Sequence, residues 1–579
     1  MPSPTTPLDA SALQQLEADF WQKGFDEQKL QRLIQQHQRH QATLTQSQCE
    51  QQHHFVIVIP IADRPHHLQS CLQSLLTLCQ TYQYGGIQNG VHNKVCVLLA
   101  DDSQQEKNIQ KQKKITADFN QRGLKIDYFG QTEQLKLLSL LPPAQQKNIS
   151  QIIGKINPDR FYHKGASITR NIAYLKLQRD YAQIKNVLFY FIDSDQEFQL
   201  NIQTNNGEQH HYAINYFYHL DRIFHNQKIQ LLTGKVVGDP PVSPAVMANT
   251  LLTDLKPFLK QMAAEPATAA CPFHTTQPSG DAHYHDMADL FDLPPQIEQA
   301  FLQCPLSKKH TRSDSFAHVA QRLNHFFDGA HPTRKSHFNY SPAEGLSPAR
   351  TVYSGNYIFR PTALEFFLPF ANLKLRMAGP TLGRLIQSKI GAGFVSANLP
   401  MLHQRTVQSE GRAEFRPGVQ HQENLIDLST EFERQFYGDV MLFSMIKFTQ
   451  LGYPEKNLNR AKIEQVSTKV EAELRQKYQQ KQQQTLSNLS QLSQHVNDPQ
   501  QWWHQEEKLQ PAYFEFQRFL KNMQHNFSLS AQGYQLITSA KHRQTRLAEI
   551  QHALLQLKTD QEAWQRCLTQ FAQPTGEAS

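Results

Sequence analysis

Long apolar runs are missing from this sequence: no stretch reaches the roughly 18 residues that a membrane-crossing helix needs. Met1-Pro2-Ser3-Pro4 opens it without the basic segment and apolar core of a secretory signal. Cysteine is scarce, at seven residues, and no two form a Cys-x-x-Cys pair. Reduced, buried thiols in a cytoplasmic protein are the expectation. No repeat of fixed period is visible. Charge of one sign is also lacking, since 58 Lys and Arg against 51 Asp and Glu leave a net +7. That mild excess suits anionic ligands, or a peripheral contact with acidic lipid at an inner membrane. The basic residues are neither clustered nor interleaved with aromatics, which argues against nucleic acid as a partner.

What remains is a globular composition, 39% hydrophobic and 10% aromatic over 579 residues, enough for two or more domains. A mean hydropathy of −0.58 signals long polar stretches. Residues 9–50 are rich in Gln, Leu and charge, with Leu13, Leu16, Phe20, Leu30 and Leu33 near helical spacing. They read as a helical N-terminal extension over 1–52. Phe55-Val56-Ile57-Val58-Ile59-Pro60 is a buried strand. Leu68, Cys71, Leu72, Leu75, Leu76 and Cys79 then mark one face of an amphipathic helix. Further strands are expected at Val95 to Ala100, Lys125 to Phe129, Val187 to Ile192, residues 230–237 and residues 351–359. A helix containing Ile168, Ile172 and Leu175 precedes the third of these. Continuous apolar strands alternating with helices describe a mostly parallel sheet covered on both faces.

One strand is the most informative: Val187-Leu188-Phe189-Tyr190-Phe191-Ile192 ends in Asp193-Ser194-Asp195. On an extended chain the two carboxylates share a side, because side chains alternate with period two. Two hard oxygen donors there suit Mg²⁺ or Mn²⁺ shared with substrate phosphates. Ligands in such sheets sit beyond the carboxyl ends of the strands. The other polar clusters fall at the same level: Asp63-Arg64 after the first strand and Asp101-Asp102-Ser103 after the second. Asp101-Asp102-Ser103 also suits a helix N-terminal cap, though the strand before it favours binding. Lys164 and Arg170 equally suit a solvated helix surface.

In this order the residues resemble the nucleotide-sugar glycosyltransferases of the GT-A (Rossmann-like) fold, close in style to the family-2-like group. The resemblance covers roughly residues 54–406. It rests on Ile59-Pro60, Ala100-Asp101-Asp102-Ser103, the run Lys164-Gly165-Ala166-Ser167-Ile168-Thr169-Arg170-Asn171, Asp193-Ser194-Asp195, Ser354-Gly355-Asn356-Tyr357, and Leu399 to Arg405 with His403 inside it. It implies a mixed, mostly parallel sheet with helices on both faces, a nucleotide-sugar donor, an unidentified acceptor, and Mn²⁺ or Mg²⁺ as cofactor. Asp193, Asp195 and His403 would hold the metal. Pro60, Asp63, Arg64, Asp101, Asp102, Lys164, Arg170, Asn171, Asp193, Ser194, Gly355 and Asn356 would line the donor pocket. The transferase unit would span 53–410, with a partly helical insertion at about 240–350 that shapes the acceptor side or a lid. Residues 411–579 read as a helical domain or an extended arm, suited to self-association.

The chain departs from the family at one point. Inverting members carry an acidic pair after the acceptor-side strand, whereas Asn372 to Arg384 holds no acid. A base must then come from elsewhere, with Asp281, Asp286 and Glu365 as candidates, or configuration is retained, which is the expectation here. Arg376 and Arg384, with Asp195, complete the expected catalytic set by contacting the diphosphate or an anionic acceptor. His283-Tyr284-His285-Asp286 reads as a polar loop. Two other readings stay open. A nucleotidyltransferase is disfavoured because Ile61-Ala62-Asp63-Arg64 has no glycine. A scaffold on a non-catalytic transferase domain is disfavoured by the intact Asp193, Asp195 and His403.

Overall fold

The computed structural model describes residues 9–48, 50–204, 207–273, 304, 306, 309–340, 345–353, 355–407, 414–423 and 425–572. Strands form where the chain runs apolar: β1 (His54–Ile61), β2 (Val95–Asp101), β3 (Lys125–Phe129), β4 (Val187–Ile192), β5 (Gln196–Glu197), β6 (Leu231–Gly238), β7 (Ser347–Pro348), β8 (Asn356–Phe359) and β9 (Phe394–His403). They build one nine-stranded sheet in the order β7-β9-β6-β8-β4-β1-β2-β3, with β5 laid along β9. β1 to β4 run parallel to one another. β8 runs antiparallel between β4 and β6, and β9 is parallel to β6. The carboxyl ends of β1, β2, β4, β6 and β9 therefore share one edge.

Alternation divides the core between the two faces. Phe55, Ile57 and Ile59 of β1 point into one apolar cluster. Val56 and Val58 point into the other. Helices α1 (Ala10–Gln22), α2 (Glu27–Gln48) and α3 (Pro65–Tyr82) cover the first face, burying Leu13, Phe20, Leu30, Leu33, Leu72 and Leu76. On the second face lie α4 (Ala166–Asp180), two helices of the long insertion, α5 (Ala248–Ala263) and α6 (Arg312–Leu323), and the C-terminal helices α7 (Ser429–Gln450), α8 (Arg460–Val496), α9 (Gln510–Phe527) and α10 (Ala540–Ala572).

Three expectations change. The C-terminal region is no extended arm: Leu547, Ile550, Leu554, Leu557 and Trp564 of α10 enter the same core as the sheet. Trp564 Nε1 donates to the Leu364 carbonyl at 2.8 Å. The apolar stripe is thus spent within the chain. The strand expected over 351–359 shrinks to β8, because Val352 N–H donates to the Gly379 carbonyl and Tyr353 N–H to Thr233 Oγ1, neither of them a ladder bond. Asp193-Ser194-Asp195 is not extended. Gln196 N–H donates back to the Asp193 carbonyl at 3.1 Å and closes a turn. Among the described residues no helix is long and apolar enough to cross a membrane.

Candidate active site

The turn after β4 sends its two carboxylates to different partners. Asp193, with a side chain 34% exposed, pairs with the buried Arg170 of α4. Gly355 makes room for it, since a Cβ there would stand 2.6 Å from Asp193 Oδ2 and 2.7 Å from Gln196 Oε1. Asp195 turns inward. Its Oδ2 takes Arg64 Nη1, from the end of β1, and Arg405 Nη1, from the end of β9, each at 3.1 Å. Its Oδ1 faces His403 Nε2 at 3.5 Å. Burial works against charge on Asp195, yet His403, then Arg405 and Arg64, hold its carboxyl well below the usual carboxylate range.

His403 is held for one role. Its Nδ1 lies 2.8 Å from the Asp239 carbonyl, which accepts only a proton-bearing nitrogen. In the imidazolium Nε2–H faces Asp195, as the ion pair requires; in the neutral ring Nε2 would instead carry the lone pair that a metal takes. Two donors 3.5 Å apart, one of them oriented by an outer carbonyl, match a divalent-ion site of the kind completed by substrate phosphates. Asp195 and His403 would be the two donors for such an ion. Asp193 does not join them. Among the described residues, the groups of three His, Cys, Asp or Glu ligand atoms lying within 4.8 Å of one another occur elsewhere. The turn geometry that separates Asp193 from Asp195 is the reason.

Cations gather around this pair. Arg376 Nη1 bonds the buried Glu431 at 3.0 Å, and Arg434 reaches the same carboxylate. Burial opposes ionisation of Glu431, but Arg376, Arg434 and Arg416 outweigh it and lower its pKa. Arg416 is buried, and desolvation first, then the nearby Arg405, lowers its pKa. Nε of Arg405 and Nη1 of Arg416 are buried without a hydrogen-bond partner among the described residues. Buried orphan donors are rare. Beside Asp195 opens a cleft of about 450 Å³, bordered by Ser194, Glu197, His67, His210 and Tyr212. That volume lies in the roughly 300–1,000 Å³ range of small-molecule sites. Burial raises the Glu197 pKa.

The acids after β1 and β2 are used differently. Asp63 accepts from Gln104 N–H, Gln105 N–H, Asn108 Nδ2 and His163 Nε2 at 2.7–3.2 Å. Burial disfavours its charge, and these bonds, His163 first, reverse the balance and lower its pKa. Asp101 accepts from Ser103 N–H at 2.8 Å and Tyr128 Oη at 2.5 Å. Burial leaves its pKa raised even so. Asp102 takes Lys164 Nζ at 2.6 Å and the N–H groups of Lys164 and Gly165 at 3.1 and 3.0 Å, just before α4. Neither acid caps a helix: the helix that follows starts from Gln105 without a side-chain cap, and Asp101 and Asp102 instead tie together the loops around them.

Other expected residues lie away from the cleft. Asn171 is fully enclosed, bonding the main chain of Ile152 and Leu368. Asn356 is likewise consumed by Tyr190, Lys235 and Leu399. Both side chains are structural pins, with no donor left for a nucleotide. Pro60 sits within β1 in register with Ala100. Arg384 neighbours Arg350, and Glu365 pairs with Lys389. Asp281, His283, Tyr284, His285 and Asp286 lie outside the described residues. Sequence reasoning missed Arg405, Asp239, Glu197, Glu431 and Arg416. It also missed the segment around Phe415, whose carbonyl takes Arg64 Nε at 2.7 Å and whose ring stacks on His163 at 4.3 Å. Arg405, two residues past His403, was the one with a signal.

No family model matches this sequence, and no curated protein matches it. Among solved structures, the crystal structure of mouse xyloside xylosyltransferase 1 in its apo form is similar, at 10% identity, over 58% of this chain and 76% of that one, with a TM-score of 0.21. A superposition that loose carries no weight, and the site is read from its own geometry.

Proposed function

We propose that the chain is a metal-dependent glycosyltransferase, moving a sugar from a nucleoside-diphosphate donor to an acceptor hydroxyl. The observation that carries this reading is the buried Asp195–His403 pair. One imidazole nitrogen is spent on the Asp239 carbonyl, the other faces the carboxylate at 3.5 Å, and the pair stands inside a ring of guanidinium groups. Asp195 and His403 would hold a Mn²⁺ or Mg²⁺ ion, which would supply charge to offset the departing diphosphate. Arg64 and Arg405, each tied to Asp195 through one nitrogen, keep further donors for phosphate oxygens. Arg416, and Arg376 beyond it, add fixed positive charge that needs no reorganisation as the leaving group forms.

In the transfer the bond from the anomeric carbon to phosphate oxygen breaks, the nucleoside diphosphate leaves with the electron pair, and the acceptor oxygen bonds to that carbon. The acceptor proton goes to the departing phosphate in a retaining course. Glu197 favours a second reading. Among the described residues it is the carboxylate other than Asp195 that borders the cleft, and burial raises its pKa, as suits a general base in an inverting course. Anomeric analysis of the product decides between them, together with the rate of Glu197→Gln. The proposal itself is tested by screening nucleotide sugars for Mn²⁺-dependent hydrolysis or transfer. Turnover of none of them, with or without Mn²⁺, would remove it.

A further inference from the structure

A second group of side chains of metal-ligating type, none of them lining the cleft, lies where the long insertion meets the helical layer. Cys271 Sγ, Cys304 Sγ and one His310 nitrogen all lie within 4.8 Å of one another. Cys304 Sγ is 3.2 Å from His310 Nε2, and Ser315 Oγ stands 3.3 Å from one sulfur and 3.4 Å from the other. Both cysteines are buried.

The backbone holds this arrangement independently of any ion. Cys271 N–H donates to the His310 carbonyl, Arg312 N–H to Ala269 and Ser313 N–H to Ala267, so residues 267–271 run alongside 310–313. Cys304 N–H donates to the Phe273 carbonyl at 3.2 Å. Thr311 and Asp314 form a reciprocal cap at the start of α6. That helix is fixed in turn, because Phe316 stacks on Trp503 and Phe516 of the C-terminal layer at 5.1 and 4.9 Å.

We propose that Cys271, Cys304 and His310 bind a thiolate-preferring divalent ion, Zn²⁺, that staples the insertion to the helical layer. Two soft sulfur donors and an imidazole select Zn²⁺ over the hard ions suited to Asp195 and His403. Joining residues distant in sequence removes freedom from the unfolded chain, which gives the ion a structural role. The Ser315 hydroxyl, within reach of both sulfurs, is placed to donate to the thiolates and orient them.

Cobalt substitution on the full chain, kept reduced, tests this. The expected result is about one Co²⁺ per chain with a thiolate-to-metal charge-transfer band and tetrahedral visible bands, all displaced by Zn²⁺. Zn²⁺ should also lower the alkylation of Cys271 and Cys304 read by mass spectrometry, a measurement that needs no variant. The Cys271→Ser/Cys304→Ser chain should lose the band. Cobalt bound without a charge-transfer band would assign the metal to oxygen and nitrogen donors, such as those at Asp195, and would overturn the proposal. So would a band that survives both serines, alkylation of both cysteines unchanged by Zn²⁺, or a Cys271–Cys304 disulfide as the resting state under reduction.

Discussion

Two pairs of acids close two neighbouring parallel strands, Asp101-Asp102 after β2 and Asp193-Ser194-Asp195 after β4, and the chain uses them in opposite ways. The first pair faces inward to the chain's own donors: Tyr128, Ser103, Lys164 and the amides that begin α4. The second stands among Arg170, Arg64, Arg405 and His403 at the border of a cleft. Location at a strand's carboxyl end is therefore not what makes an acid a ligand. What decides is whether nearby amides and hydroxyls already fill its lone pairs. Asp102 is filled by a lysine and two N–H groups. Asp195 is surrounded by groups that a phosphate and a metal ion would also engage.

The sharpest way to break the comparison is to neutralise one acid of each pair. Asp195→Asn should lower Mn²⁺-dependent donor turnover by about 10²–10³-fold, the scale of losing a fixed charge that stabilises a transition state. Initial rates across a Mn²⁺ series check this, with the unfolding midpoint measured alongside, because Arg405 loses its buried counter-charge. Asp102→Asn should act on stability instead. It leaves Lys164 buried without a countercharge, at a cost of about 3–5 kcal/mol, read by urea unfolding, with donor affinity unchanged. A donor defect without a stability loss would move Asp102 into the site.

Smaller effects sharpen the contrast. Tyr128→Phe removes one bond to Asp101 and should cost about 1–3 kcal/mol, since a buried acceptor is left short of a donor. The two pairs should also respond to pH with opposite sign. For Asp195 the folded-state pKa lies well below its ordinary 3.8. Its stabilisation is complete above that value and is lost as pH falls through the depressed one. For Asp101 the folded-state pKa lies above 3.8. Its contribution is present in acid and is lost as pH rises through the raised value. Urea midpoints against pH for Asp101→Asn and Asp195→Asn, both without metal, should change slope in opposite directions. A common sign would refute the contrast.

The sheet was legible because β1, β2 and β4 are near-continuous apolar runs, buried on both faces, and need no tertiary context to be seen. β8 was overextended at its start because Thr351, Val352 and Tyr353 have strand-like side chains, while their N–H groups bond elsewhere. The site was only half legible. Asp195 and Arg64 follow strands visible in the sequence, so their convergence could be expected from topology, whereas His403 ends β9, a strand the sequence pattern did not announce. Asn171 and Asn356 sit in equally suggestive motifs, yet carbonyls from distant segments use up their amides. Glu431, Arg416 and Phe415 come from the start of the helical region, and no local pattern ties them to the sheet. A cation cluster assembled from such distant segments has no sequence periodicity to betray it.

The most direct measurement is the thermal unfolding midpoint of the full chain with UDP, GDP, ADP or CDP, each with and without Mn²⁺, before and after His403→Ala. The account predicts a Mn²⁺-dependent rise with at least one nucleoside diphosphate, by mass action on the folded state, and its loss in His403→Ala. No rise with any of them, or an equal rise in the variant, would contradict it.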